Sequence, residues 1–335
     1  MVAPFFAYGH LLAVATGASA NGFSLPYQAT AAAAGLTYAL LGLLVLGTFL
    51  TRWFSRGTVV LTLLATTFGT NLFHYATYDA VFSHAFSFFL VACALQLAVV
   101  VRDRPTPRLA LAVGLVAGLV TAVRPTNAVV LVFAALIGVV NRADAFERVK
   151  ALRHYARLVA VGIAGFALPL VPQIVYWHEI TGRWLIYSYG DEHLDLWHPH
   201  VIQVLFSVRK GLFFWTPLLL LAVFGLVFVR RRAPDLFIPA VAFLAIDTWA
   251  ISSWQIWWYG GSFGQRPFVE AMPVFALGLA ALIDSVRGRI ARRATLVAVL
   301  ILTGLAVHSM IDYWLGIVPF DGTTWHQYVD SFTRL

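Results

Sequence analysis

From Met1 to Thr51 the chain carries no Asp, Glu, Lys or Arg, and sparsely charged apolar runs of similar length recur as far as residue 312. A backbone crosses a bilayer only where its own N–H and C=O groups are paired within the segment, so about 20 apolar residues in succession read as a spanning helix. Such runs fall at 28–50, 57–75, 80–101, 108–123, 125–140, 158–176, 212–229, 236–254, 268–285 and 294–312. The composition supplies the material for them: 60% of the 335 residues are apolar and 11% are charged, against 45–50% and about a quarter in a soluble domain. Soluble, fibrous and disordered classes are thereby excluded.

The expected fold is an all-α polytopic membrane protein with about ten transmembrane helices in a single membrane domain, 1–335. Residues 1–27 form a segment at the outer interface, 28–312 the bundle and 313–335 an outer tail. Segment 2–18 is apolar but short, and either crosses the membrane or lies in the interface. The start Met1-Val2-Ala3-Pro4 lacks the basic residues of a secretory signal. The lone Cys93 lies inside an apolar run and carries no disulfide framework.

A net charge of +8 would point to nucleic acid in a soluble protein, but here it follows the membrane. Basic residues alternate between connections. Arg52 and Arg56; Arg102, Arg104 and Arg108; Arg142, Arg148, Lys150, Arg153 and Arg157; Arg230 to Arg232; and Arg287, Arg289, Arg292 and Arg293 make 17 of the 23. Arg124, Arg183, Arg209, Lys210, Arg266 and Arg334 are the remainder. Lys and Arg are retained in the cytoplasm, so the expected location is the cytoplasmic membrane, multi-pass, with both ends of the bundle outward.

On that assignment ten of the eleven tryptophans, all but Trp53, and eight of the ten histidines fall in the outer half. An anchoring belt populates both interfaces, so the bias marks the outer side as the working face. Three outer clusters stand out. The connection 177–211 holds Asp191, Glu192 and Asp195 beside three Trp, four His and the pair Arg209 and Lys210. Carboxylates next to indole faces suit sugars, although a ligand-free interfacial loop has the same composition. His193, His198 and His200 match no strong zinc spacing, so no metal site is assigned.

The stretch 252–267 runs Trp257, Trp258 and Tyr259 into Gly260-Gly261 and Arg266, where glycines permit close backbone approach and an Arg can clamp a phosphate. The third cluster opens the run at 80: Asp79 and, a little over one turn deeper, His84, positioned to face one cavity, with a helix N-cap as the alternative role for Asp79. Residues 108–140 form a short hairpin tipped by Arg124-Pro125-Thr126-Asn127, with Pro125 suited to the first position of an anion-favouring helix. Asp247 and Asp312 carry weaker signals.

Taken in order and by side, TYDAVFSHAFSFFLVACAL, GLVTAVRPTN, the run from YSYGDE to LFSVRKGLFFWTPLLLLAVFGL, and WWYGGSFGQRPFVEAMPVFALGLAAL resemble the C-type membrane glycosyltransferases, the superfamily of protein O-mannosyltransferases and lipid A aminoarabinose transferases. The resemblance covers residues 20–290. It implies transfer of a sugar from a polyprenyl-phosphate donor to a lipid, glycan or protein acceptor on the outer face, with no nucleic acid partner and no assigned cofactor beyond the option of a divalent cation. It implies substrate contacts at Arg124, Asn127, Arg209, Lys210, Trp257, Trp258, Tyr259 and Arg266, with Asp79, His84, Asp191 and Glu192 as the catalytic candidates. Members of that superfamily carry a first span and a large outer loop with an acid near its start. No acid precedes Asp79 here, so by the resemblance Asp79 takes the family's second acidic position, with a supporting role and not that of the base, and the chain is expected to lack the first span and catalytic loop. A lipid-linked saccharide flippase or transporter, or a non-catalytic subunit of a transferase, is the alternative.

Overall fold

The computed structural model describes residues 1–334, apart from the side chains of Ala151 and Leu152. The described residues form helices and loops, with one isolated bridge, Leu194 to Trp254, in place of any strand. A helix occupies each of the ten apolar runs. Six helices are long and apolar enough to cross a membrane: Leu25–Leu50, His84–Asp103, Ala156–Thr181, Pro234–Ser252, Arg266–Ser285 and Arg289–Trp314. At 1.5 Å per residue the longest, of 26 residues, reach about 39 Å, more than the roughly 30 Å of hydrocarbon. Arg56–Phe68, Pro107–Val123 and Pro125–Leu136 are apolar but shorter, as is the N-terminal Ala3–Thr16.

Local signals set several boundaries. Ser55 caps Arg56–Phe68 by accepting from Thr58 N, and Thr106 caps Pro107–Val123 by accepting from Leu109 N, with Pro107 at the first position, where its missing N–H costs nothing. Ala3–Thr16 and Val171–Thr181 both stop at a left-handed glycine, Gly17 and Gly182.

Arg266–Ser285 is the central element, with 83% of its apolar window buried. It crosses Leu218–Arg232 at Gly225 and Gly278: a methyl on Gly225 would strike the Gly278 carbonyl, and one on Gly278 the Ala222 carbonyl. Small residues replace the hydrophobic driving force where lipid surrounds the helices, because they let backbones touch. The same device joins Pro107–Val123 to Ala156–Ala167, where Gly114 faces the Gly162 carbonyl and Gly118 that of Phe166. Gly9 packs the N-terminal helix against Thr30 of Leu25–Leu50.

The connections divide between the two ends of the bundle. The basic ones are linked across loops: Arg52 pairs with Asp103 at 3.5 Å, Arg102 with Asp103 at 2.8 Å and with Asp235, and Arg232 with Asp284 at 2.8 Å, while Thr58 also donates to Asp284. At the other end, Asp195 N and His200 N donate to Ser253 O and Ser252 O, both at 2.7 Å, and Gln255 N donates to His193 O. The two long aromatic connections foreseen as separate clusters are therefore one layer.

Candidate functional site

Within this aromatic layer the 252–267 loop is held from four directions. Trp254 Nε1 donates to Glu192 Oε2 at 3.0 Å, and Asn71 Nδ2 to Gln265 O at 3.2 Å. Tyr75 exchanges two 3.1 Å hydrogen bonds with the Phe263 backbone, and Lys210 donates to Ser262 O. Tyr259 takes a positive φ of 57°, unusual for a residue with a Cβ, and its hydroxyl donates to Ile251 O at 3.0 Å. Gly261 lies flat under the Phe320 ring, where a side chain would collide. Trp257 and Trp258 meet edge to face, with centroids 5.7 Å apart.

The four cations expected to form one phosphate clamp have four different environments. Arg209 donates twice to Asp321, at 3.1 and 3.0 Å, and its guanidinium lies 3.8 Å from the Trp258 ring centroid. Lys210 is 2% exposed and donates to the Ser262 and Phe320 carbonyls, so it ties two loops together. Burial, with Arg209 and Arg266 nearby, pushes its ammonium down to about 8 against the pull of Asp321. Arg124 donates to Glu270 Oε1 at 3.0 Å. Arg266 alone of the four has neither an ion-pair partner nor a side-chain hydrogen bond among the described residues; its guanidinium lies 5.4 Å from the Phe82 ring centroid. Its field reaches Tyr75, His84, Lys210, Tyr259 and Tyr313.

The expectation that Asp79 and His84 share one cavity needs correction. The helix begins at His84, after turns over 78–83, and Ser83 precedes it, so Asp79 is neither on that helix nor its N-cap. Asp79 instead meets His74 Nε2 at 2.9 Å, and Trp314 Nε1 donates to His74 Nδ1 at 2.8 Å. His84 is 1% exposed, with Nδ1 3.0 Å from Glu270 Oε1. Asn127 is also internal: its amide donates to Ser87 Oγ at 3.0 Å, and Pro125 begins a 3-10 turn of five residues instead of an α-helix. Asp191 is exposed, and Glu192, half-buried, is spent in part on Trp254.

Sequence reasoning missed Glu270. It sits in an apolar run and was absorbed into a span, although an acid inside such a run is itself a functional signal. It joins His84, Arg124 and, through its field, Asp247 in an ionisable group whose members are buried apart from the half-buried Arg124. Glu270 Oε2 and Asp247 Oδ2 have no hydrogen-bond partner. Among the described residues, no set of three or more His, Cys, Asp or Glu is arranged to hold a metal ion. Two surface hollows lie away from this layer, one between Leu44 and Leu63 and the other beside Arg289 and Arg293. Comparison of the chain with family models, with curated proteins and with solved structures finds no match.

Proposed function

We propose that this chain is a glycosyltransferase of the C-type membrane superfamily, built on about ten spans in the cytoplasmic membrane, with the aromatic layer facing outward. The donor is a sugar on a polyprenyl phosphate; the acceptor is a hydroxyl of a lipid, glycan or protein. The observation that carries this reading is Arg266, a guanidinium left without a carboxylate partner in a layer of indoles and tyrosines, whose charge acts on the same two tyrosines, Tyr75 and Tyr313, as the Asp79 carboxylate.

The chemistry needs two charges of opposite sign. As the bond from the anomeric carbon to phosphate oxygen breaks, negative charge grows on the phosphate, and a preorganised guanidinium stabilises it. The attacking hydroxyl must lose a proton to a carboxylate within hydrogen-bond reach. Asp79 is the first candidate for that base, then Asp191 or Glu192. Trp257, Trp258 and Tyr259 offer flat faces for the sugar's C–H surface, while Arg209 and Lys210 hold the walls.

Membranes carrying Arg266→Ala test the reading by transfer of labelled sugar from polyprenyl phosphate. Turnover should fall by about 10²- to 10³-fold, and unchanged turnover removes the clamp. A second reading, a carrier for a lipid-linked saccharide, draws support from the buried group of His84, Arg124, Asp247 and Glu270, since ionisable side chains within spans also mark transport pathways. Appearance of lipid-linked sugar on the opposite leaflet of vesicles, with no transfer product, would decide for it.

A further inference from the structure

The three side chains Trp314, His74 and Asp79 form a line whose hydrogen-bond direction is fixed by chemistry. An indole N–H only donates. Because Trp314 Nε1 lies 2.8 Å from His74 Nδ1, that nitrogen presents its lone pair, and the ring's single proton sits on Nε2, 2.9 Å from Asp79 Oδ2. A second ring proton would place two hydrogens between the indole nitrogen and Nδ1. The histidine is fully buried and enclosed by rings: Tyr78 stacks on it at an interplanar angle of 27°, Phe263 lies tilted against it, Tyr75 and Tyr313 meet it edge-on at 80°, and Trp314 lies beside it, nearly coplanar at 15°. The ring therefore cannot turn over to exchange its nitrogens. Besides Asp79, the charged groups in range are Arg266, whose field falls on Tyr75 and Tyr313, Asp321, whose field also falls on Tyr313, and Lys210, 5.8 Å from the Tyr313 ring centroid; the ionisable neighbours are Tyr75, Tyr78 and Tyr313.

We propose that Trp314 and His74 are positioning residues that hold Asp79 as the general base of the transfer and bar His74 from taking the proton itself. This rests on the transferase reading above. Asp79 Oδ2 is occupied by His74, and Oδ1, on a side chain 26% exposed, has no partner among the described residues and is the atom that receives the proton. In the step, the acceptor's O–H proton passes to Asp79 Oδ1 and its oxygen forms a bond to the anomeric carbon. The bond from that carbon to the phosphate oxygen breaks, its electron pair leaving with the polyprenyl phosphate held at Arg266. Proton, sugar and charge then balance: a neutral Asp79 and an anionic phosphate, with the proton returned to solvent before the next cycle. The neutral His74 supports the carboxylate without neutralising it, which a histidinium at that distance would do.

Two measurements on the full chain in lipid nanodiscs test this. The first is the ¹⁵N spectrum of the His74 ring at neutral pH, assigned by its loss in His74→Gln. One protonated nitrogen, Nε2, is expected; an Nδ1-protonated or doubly protonated ring overturns the proposal whatever the enzyme does. The second is kinetic. Trp314→Phe keeps an aromatic ring at that position but removes the N–H, so it should lower kcat about tenfold at neutral pH and more steeply in acid, leave the donor KM unchanged, and give a mixed-tautomer spectrum. His74→Gln, whose amide still donates to Asp79, should retain more activity than His74→Leu. Identical pH profiles for Trp314→Phe and the parent overturn the positioning role. Loss of turnover in Arg266→Ala with no effect from Asp79→Asn refutes this inference and spares the transferase reading, whereas indifference to both variants removes the reading itself.

Discussion

The two ends of the bundle spend their charges differently. At the basic end, arginines from one loop reach carboxylates of another: Arg52 to Asp103, Arg102 to Asp235, Arg232 to Asp284. None of the buried polar atoms left without a hydrogen bond lies in those loops. At the aromatic end, Asn71, Asp247, Ser252, Gln265 and Glu270 each keep an unpartnered buried oxygen, and Arg266 lacks a counter-charge. A fold that needed only to be stable would pair these groups, because an unmet buried acceptor costs about 1–3 kcal/mol. Local departures from good bonding concentrate where function sits, and here they concentrate at one end.

The comparison can be broken most directly by exchanging the fate of one arginine from each end. Arg266→Ala should cost two to three orders of magnitude in transfer, about 3–4 kcal/mol of transition-state stabilisation, with little change in thermal midpoint. Next comes the buried pair. Glu270→Ala leaves Arg124 without its partner and should destabilise the chain by about 3 kcal/mol in a detergent unfolding titration, while adding Arg124→Met should recover much of the loss.

Lys210 sharpens the contrast through pH. Its ammonium is lowered by burial from 10.5 to about 8, so between those values the unfolded chain binds more protons than the folded one, and stability rises with pH across that window. One proton sets the upper limit of the slope at about 1.4 kcal/mol per pH unit. Below pH 8 this residue contributes no slope, and Lys210→Met should flatten the curve measured from pH 8 to 10. The smallest effect belongs to the partly exposed pairs. Arg102→Ala at the basic end and Asp321→Ala at the other should each lower stability by no more than about 1 kcal/mol, and Arg102→Ala should leave transfer unchanged.

The apolar runs were legible because a lipid-facing helix writes its whole length into composition, and all ten are helical. The alternation of basic loops was legible too, and the structure gathers their pairing partners at one end. What composition does not carry is partnership across distance. Trp314 and His74 are 240 positions apart, Arg209 and Asp321 are 112, and nothing local to either residue announces the other. Asp79 and His84 misled through spacing: a running helix puts residues three or four apart on one face and those five apart about 140° round, and the turns over 78–83 delay the helix until His84. Glu270 was readable in principle, as one carboxylate in an otherwise apolar run, but its apolar neighbours masked it.

The contact between Gly225 and Gly278 has a mechanical corollary. Two helices whose backbones touch cannot slide or roll past one another without a clash, so this crossing works as a keel. Freedom to flex then belongs to Val171–Thr181, which follows the break near Pro169 and has no buried residue, whereas Ala156–Ala167 is locked to Pro107–Val123 by the same close backbone approach. A working cycle that must admit a long prenyl tail from the side would bend this limb and leave the Arg266 loop, mounted on the keel, where it stands.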